Sequence, residues 1–288
     1  MKIIISDEQL RRLIPNVFAT VEGEPTLYEK LTPFLESAEE WAKENFVSEN
    51  VFEQIAYCYA STDAVTGDDI KAMMLPIEKL IACHAYMSAI PSLDLVMTPN
   101  GFGIVSNTNV VPASKERIER LITSLETERD SAAESLVLKL ASNNEWQQTS
   151  QGKYFGSTMF PFLGLCQRLA IREHVWTNYQ RLHDRLIKIE NVLAETYFSQ
   201  EQMAVLRLHV MTQMKHAQQL EEHVIRTLQS LEMMLLSDIQ VHTQSYYDLV
   251  NIMREHESFF PAWHASEVAE LYSPATFSNK KGAGGYWF

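Results

Sequence analysis

Glycine is scarce in this chain, ten residues in 288, while Leu, Met, Ala, Glu and Gln are common. That balance disfavours sheets built on turns and biases the fold to helix. Cysteine is scarcer still. Cys58, Cys83 and Cys166 are odd in number and widely spaced, with no Cys-x-x-Cys pair. Neither a disulfide framework nor a zinc site fits that pattern, so they read as small core residues in a reducing compartment. No run approaches the ~18 apolar residues of a membrane span. Met1-Lys-Ile-Ile-Ile-Ser-Asp7 has only three consecutive apolar residues, too few for the apolar core of a secretion signal. The expected setting is the cytoplasm, or a particle assembled there.

Basic runs are also missing; the nearest are Arg11-Arg12 and Lys280-Lys281, in a chain of net charge −13. Such a chain would repel phosphate, which excludes tight nucleic-acid binding but not a conduit through which DNA slides. Catalytic signatures are absent: no Gly-x-Gly-x-x-Gly, no Walker loop, no His-Glu-x-x-His and no Gly-x-Ser-x-Gly. No Glu has a His three positions later, so a di-iron bundle is not encoded. The reading is of a protein that is not an enzyme and needs no cofactor and no metal.

What is present begins with Leu93-Asp-Leu-Val-Met-Thr-Pro-Asn-Gly-Phe-Gly-Ile-Val-Ser-Asn107. Two apolar extended runs flank Thr98-Pro99-Asn100-Gly101. Pro99 suits the second position of a tight turn, and Asn100-Gly101 tolerates positive φ. A β-hairpin over roughly 93–106 is expected, with Thr98, Pro99, Asn100, Gly101 and Phe102 as contact residues. Two strands alone cannot bury their faces or satisfy their edges. The hairpin must pack on helices or pair with another chain.

The rest reads as helix, so the fold class is mainly α, helical bundles with one hairpin. Ser6 caps a short helix ending before Pro15. Further helices are expected over 26–46, 48–60, 69–90 (with Pro76 as a start or a kink) and 115–141. The polar stretch 143–157 is the candidate boundary between residues 1–145 and a second bundle, 158–272. Helix is expected over 158–197 with an interruption near Pro161. From 201 to about 256 the helix is almost continuous, with a break near 237–244. Val210, Ala217, Val224 and Leu231 recur every seven residues, with Met214, Leu228 and Leu235 between them, as in a heptad seam.

Glu39-Glu-Trp-Ala-Lys-Glu-Asn-Phe-Val-Ser-Glu49 aligns without gaps on Glu190-Asn-Val-Leu-Ala-Glu-Thr-Tyr-Phe-Ser-Gln200, which raises an internal duplication. Pro33-Phe-Leu and Pro161-Phe-Leu recur too, at a different offset. His209, His216 and His223 would share one face of a continuous helix, each roughly 10 Å from the next, too far apart to hold one metal. They read as solvated or interface histidines. The dispersed Met residues and Trp41, Trp146, Trp176 and Trp263 read as core or interface anchors. In 273–288, glycines 282, 284 and 285 precede Tyr286, Trp287 and Phe288. That pattern describes a flexible segment whose aromatics fold back on their own domain or insert into a neighbour.

The hairpin run, with Pro112-Ala-Ser-Lys-Glu-Arg-Ile-Glu-Arg-Leu121 after it, resembles an uncharacterised family encoded among structural genes of phages and prophages of anaerobic gut bacteria. The element order over 26–140 also resembles the head–tail connector (adaptor) proteins of tailed phages. Those resemblances imply a virion protein forming a homo-oligomeric ring beneath the portal. Its partners would be itself, portal and tail proteins, with DNA as passing cargo and no membrane. The other reading is a non-viral helical interaction module, regulatory or chaperone-like.

Overall fold

A computed structural model describes residues 2–14, 25–60, 68–93, 95–98, 101–104 and 114–273. The described chain is mainly helical. Contacts divide it into two compact units, Met1–Arg185 with Val210–Gln213, and Leu186–His209 with Met214–Phe288.

In the first unit, α1 (Asp7–Leu13) starts at Ser6, whose hydroxyl accepts from the Gln9 N–H. Next comes α2 (Leu27–Ala42), closed at its start by a Thr26/Glu29 capping box. A π-helical turn, Lys43–Val47, leads through Ser48 into α3 (Glu49–Ala60). Helix α4 (Asp68–Leu93) runs through both Pro76 and Pro91, so neither starts it. Beyond it Leu95–Thr98 (β1) and Gly101–Ile104 (β2) are extended and antiparallel, Leu95 opposite Ile104 and Thr98 opposite Gly101. Pro99 and Asn100 lie outside the described residues. Helix α5 (Lys115–Leu140) returns along α4. Then follow α6 (Asn144–Gln147), α7 (Ser150–Phe155) and α8 (Gly164–Arg168).

The division by contacts falls elsewhere than the polar stretch 143–157. That stretch is helical and packed in the first unit, because Trp146 and Phe155 within it are fully buried. Helix is also rarer over 158–174 than its composition suggests; α8 is its one α-helix and Ala170 and His174 have positive φ.

Helix α9 (Val175–Leu193) passes from the first unit into the second and ends in another π-helical turn, Ala194–Phe198. Then come α10 (Gln200–Met211), α11 (Gln219–Leu236), α12 (Thr243–Glu255), α13 (Pro261–His264) and α14 (Glu267–Leu271). The helix expected to run unbroken from 201 to the break near 237 is therefore two helices, α10 and α11. Gln213 and Met214 both take left-handed backbone angles (φ 55° and 57°) and end α10 with bonds back to Val210 and His209. Met214 and Ala217 fall in that turn, so the seven-residue spacing is not one seam. The break at 237–242 lies where the sequence puts it.

The second set of elements repeats the first. Alignment of residues 27–85 on 178–236 needs no gap: α2, α3 and α4 begin or end opposite α9, α10 and α11 at a constant offset of 151, as from Ser48 to Ser199 and from Asp68 to Gln219. Both π-helical turns coincide, and so do the buried positions Leu31/Leu182, Leu35/Leu186, Ile55/Leu206, Met73/Val224, Ile77/Leu228 and Leu80/Leu231. Further on, α6 and α13 coincide at an offset of 117, from Trp146 to Trp263.

Candidate functional site

Each copy is locked at one place by the same two devices. A π-helical turn leaves carbonyls outside the regular helical ladder, and such groups need partners when buried. In the first unit the Trp146 indole N–H donates to the Phe46 carbonyl at 2.7 Å, with Trp146 fully buried. Gln151 Nε2 adds bonds to the carbonyls of Lys43 (2.9 Å) and Glu44 (3.1 Å). In the second unit Trp263 donates to the Tyr197 carbonyl at 2.9 Å, and Tyr197 aligns with Phe46. Three residues after each Trp, a hydroxyl caps the next helix and donates to the Trp carbonyl: Thr149 to Trp146 and Ser266 to Trp263, both at 2.6 Å. The four tryptophans singled out in the sequence thus include two with one structural job.

The second device is an acid one turn before the π-turn. Glu39 is buried and accepts from the Ile3 N–H at 2.8 Å; burial raises its pKa and that bond opposes the rise. The aligned Glu190 has no exposure and instead accepts from Arg207 Nε at 2.8 Å. Arg207 occupies the position of Ala56. Glu232, at the position of the buried Ile81, is fully buried, and neither carboxyl oxygen has a hydrogen-bond partner among the described residues. Desolvation pushes its pKa well above the usual carboxylate range; the Glu190 charge adds to the rise and Arg207 opposes it. Burial therefore favours the neutral form of Glu232. A catalytic acid must come within about 3 Å of a substrate, and neither Glu190 nor Glu232 is exposed.

A third polar cluster lies in the first unit. His84 stacks on Trp41 with rings 3.8 Å apart and 6° from parallel, and Arg129 lies over the same indole. Arg129 binds Asp130 through Nε and Nη2 at 2.9 and 2.7 Å. Burial, with the Arg129 charge, lowers the His84 pKa to about 4. A surface groove of about 180 Å³ beside the first π-turn is lined by Glu44, Asn45, Gln151, Tyr154 and Trp176 among others. It is below the size of most small-molecule sites.

The residues predicted from sequence are not gathered here. Thr98 ends β1, while Gly101 and Phe102 open β2. Tyr286, Trp287 and Phe288 lie outside the described residues. His209 sits at the end of α10 with Nε2 3.4 Å from Glu221, His216 falls in the turn and His223 is on α11. The three do not share a helix, because the left-handed pair interrupts it. Among the described residues no group of three or more His, Cys, Asp or Glu could hold a metal, and no helix is long and apolar enough to cross a membrane. Burial raises the Cys83 and Cys166 thiols to about 11. The sequence pairs Glu39 with Glu190 as aligned acids, but Arg207 and Glu232 carry no local signal, since the partner of Arg207 lies on another helix and the burial of Glu232 comes from tertiary packing.

Residues 14–156 match a family of unknown function (DUF6712). This is the stretch of α2 to α7, just under half of the chain, and it stops where the first set of elements stops. No curated protein and no solved structure matches.

Proposed function

We propose that this chain is an assembly protein that forms homo-oligomers through the hairpin, as a virion structural protein of the head–tail connector kind would. The observation that carries the reading is the antiparallel pair Leu95–Thr98 and Gly101–Ile104, which has no third strand among the described residues. A two-stranded ribbon with open edges is a template for strand addition. Charge supports the same place. Residues 86–125 hold three acids (Asp94, Glu116, Glu119) against three bases (Lys115, Arg117, Arg120), in a chain of net charge −13. Copies of so acidic a chain repel one another, and a neutral segment is where they approach at least cost. The Tyr286-Trp287-Phe288 segment is a second contact of the same assembly, and portal and tail proteins are its other partners. The test is sedimentation velocity and native mass spectrometry of the full chain over a wide concentration range. One large symmetric species is expected. A monomer throughout, with and without the products of neighbouring genes, overturns the reading.

A further inference from the structure

We infer that the chain is a tandem duplication of one helical module, and that residues 86–125 are an insertion in the first copy that serves contact between chains and that the module does not need in order to fold. The contact role rests on the function proposed above; the duplication does not.

Three independent features coincide between the copies. The backbone repeats: each copy has a five-residue π-helical turn followed by a serine of positive φ and a twelve-residue helix. The lock repeats, as Trp146 to Phe46 and Trp263 to Tyr197. The entry repeats as well: Tyr28 Oη lies 3.5 Å from the Ile4 carbonyl, and the aligned Tyr179 Oη donates to the Phe160 carbonyl at 3.0 Å. In each case a short helix, α1 or α8, lies between the accepting residue and the tyrosine. A chance likeness of helices would not reproduce a rare helix type, a strained serine and a tryptophan bond in one order.

The offset between copies falls from 151 before residue 85 to 117 by Trp146, so the first copy holds 34 residues more. They lie in one place. Where the first copy has the end of α4, both strands and the start of α5, the second has only Ser237-Asp-Ile-Gln-Val-His242 between α11 and α12. On either side the buried positions agree again, Leu80 with Leu231 before it and Ala132, Ala133 and Leu136 with Leu249, Val250 and Met253 after it. The second copy is thus the module without the arm, and its α12 to α14 still close on their π-turn. An element that one copy lacks without losing its lock is one the module can close without, although Tyr86, Ala89 and Leu125 at its two ends are buried in the first copy.

The experiment replaces residues 86–125 of the full chain by the sequence of 237–242. The expected variant is helical by circular dichroism, melts cooperatively within a few degrees of the parent, and runs as a monomer under conditions where the parent is assembled. If the variant folds and still assembles like the parent, the contact role is overturned, and the proposed hairpin assembly with it, while the duplication stands. If the variant does not fold, hydrogen exchange on the unmodified chain decides. Amides of 95–104 should exchange without opening of α2, α3 or α6. If they open only together with those helices, the arm belongs to the core and the inference is overturned.

Discussion

Ser48 and Ser199, 151 residues apart, hold the same backbone angles, φ 70° and ψ 155° for one, φ 61° and ψ 156° for the other. This region is almost reserved for glycine and costs other residues about 1–3 kcal/mol. The two serines differ in what they receive for it. Ser199 Oγ accepts from the Gln202 N–H at 3.2 Å, whereas Ser48 Oγ is buried with no partner among the described residues. Ser48→Gly should therefore stabilise the chain by roughly 1–2 kcal/mol. Ser199→Gly should gain less, because it also removes a cap. Urea unfolding of both variants checks the difference; equal gains would deny the cap.

Trp146→Phe and Trp263→Phe each leave a buried π-turn carbonyl without its donor. Each should lose about 1–3 kcal/mol from that group alone, beyond the loss of ring volume. Calorimetry that resolves the two units should show each substitution lowering a different transition. A single transition shifted equally by both would mean that the units unfold together.

Glu232 titrates with a raised pKa when folded, above its ordinary value of 4.5. Its contribution is fully present below that value and is lost as pH rises through the elevated folded value. Tyr246, whose phenol burial raises to about 12 with Glu232 contributing, stays neutral over this range. Glu232→Gln keeps a neutral side chain of the same shape. Its melting temperature should fall less steeply than the parent's as pH rises from 4.5. Parallel curves would show that Glu232 is ionised in the fold.

His84 behaves with the opposite sign. Its folded pKa, about 4, lies below the ordinary 6.5. The stability it contributes is present above pH 6.5 and is lost as pH falls toward 4. His84→Phe keeps a ring to stack on Trp41. It should flatten the stability profile between those limits, and the chemical shifts of His84 followed by NMR should show no titration above pH 5.

Gly152 is held close to its neighbour. A Cβ there would sit 2.0 Å from the Trp146 carbonyl oxygen, which is backbone and cannot swing away. Gly152→Ala should destabilise despite the roughly 1 kcal/mol that alanine gains in a helix. The aligned residue of the second copy is already alanine, Ala269. A stabilised Gly152→Ala variant would mean that α7 can shift to the position α14 has.

The sequence showed the helices where apolar residues recur at three and four, and it showed Glu39 to Glu49 on Glu190 to Gln200. It did not show the turn after Met211, because Gln213 and Met214 have no preference for left-handed angles. The tryptophan locks were hidden for another reason. Trp146 and Trp263 are 117 apart while their acceptors are 151 apart, so no single alignment places both. Glu232 reads as one more acid on an amphipathic helix, and only the folded structure, which buries it near Glu190 and Arg207, reveals otherwise.

Ile81 and Glu232 hold equivalent buried positions, yet one is apolar and the other ionisable. Two identical subunits could not differ in this way, since every substitution would appear in both. Joined on one polypeptide, the copies are free to drift apart site by site. The first could acquire an arm while the second acquired a buried acid, and neither had to tolerate the other's innovation.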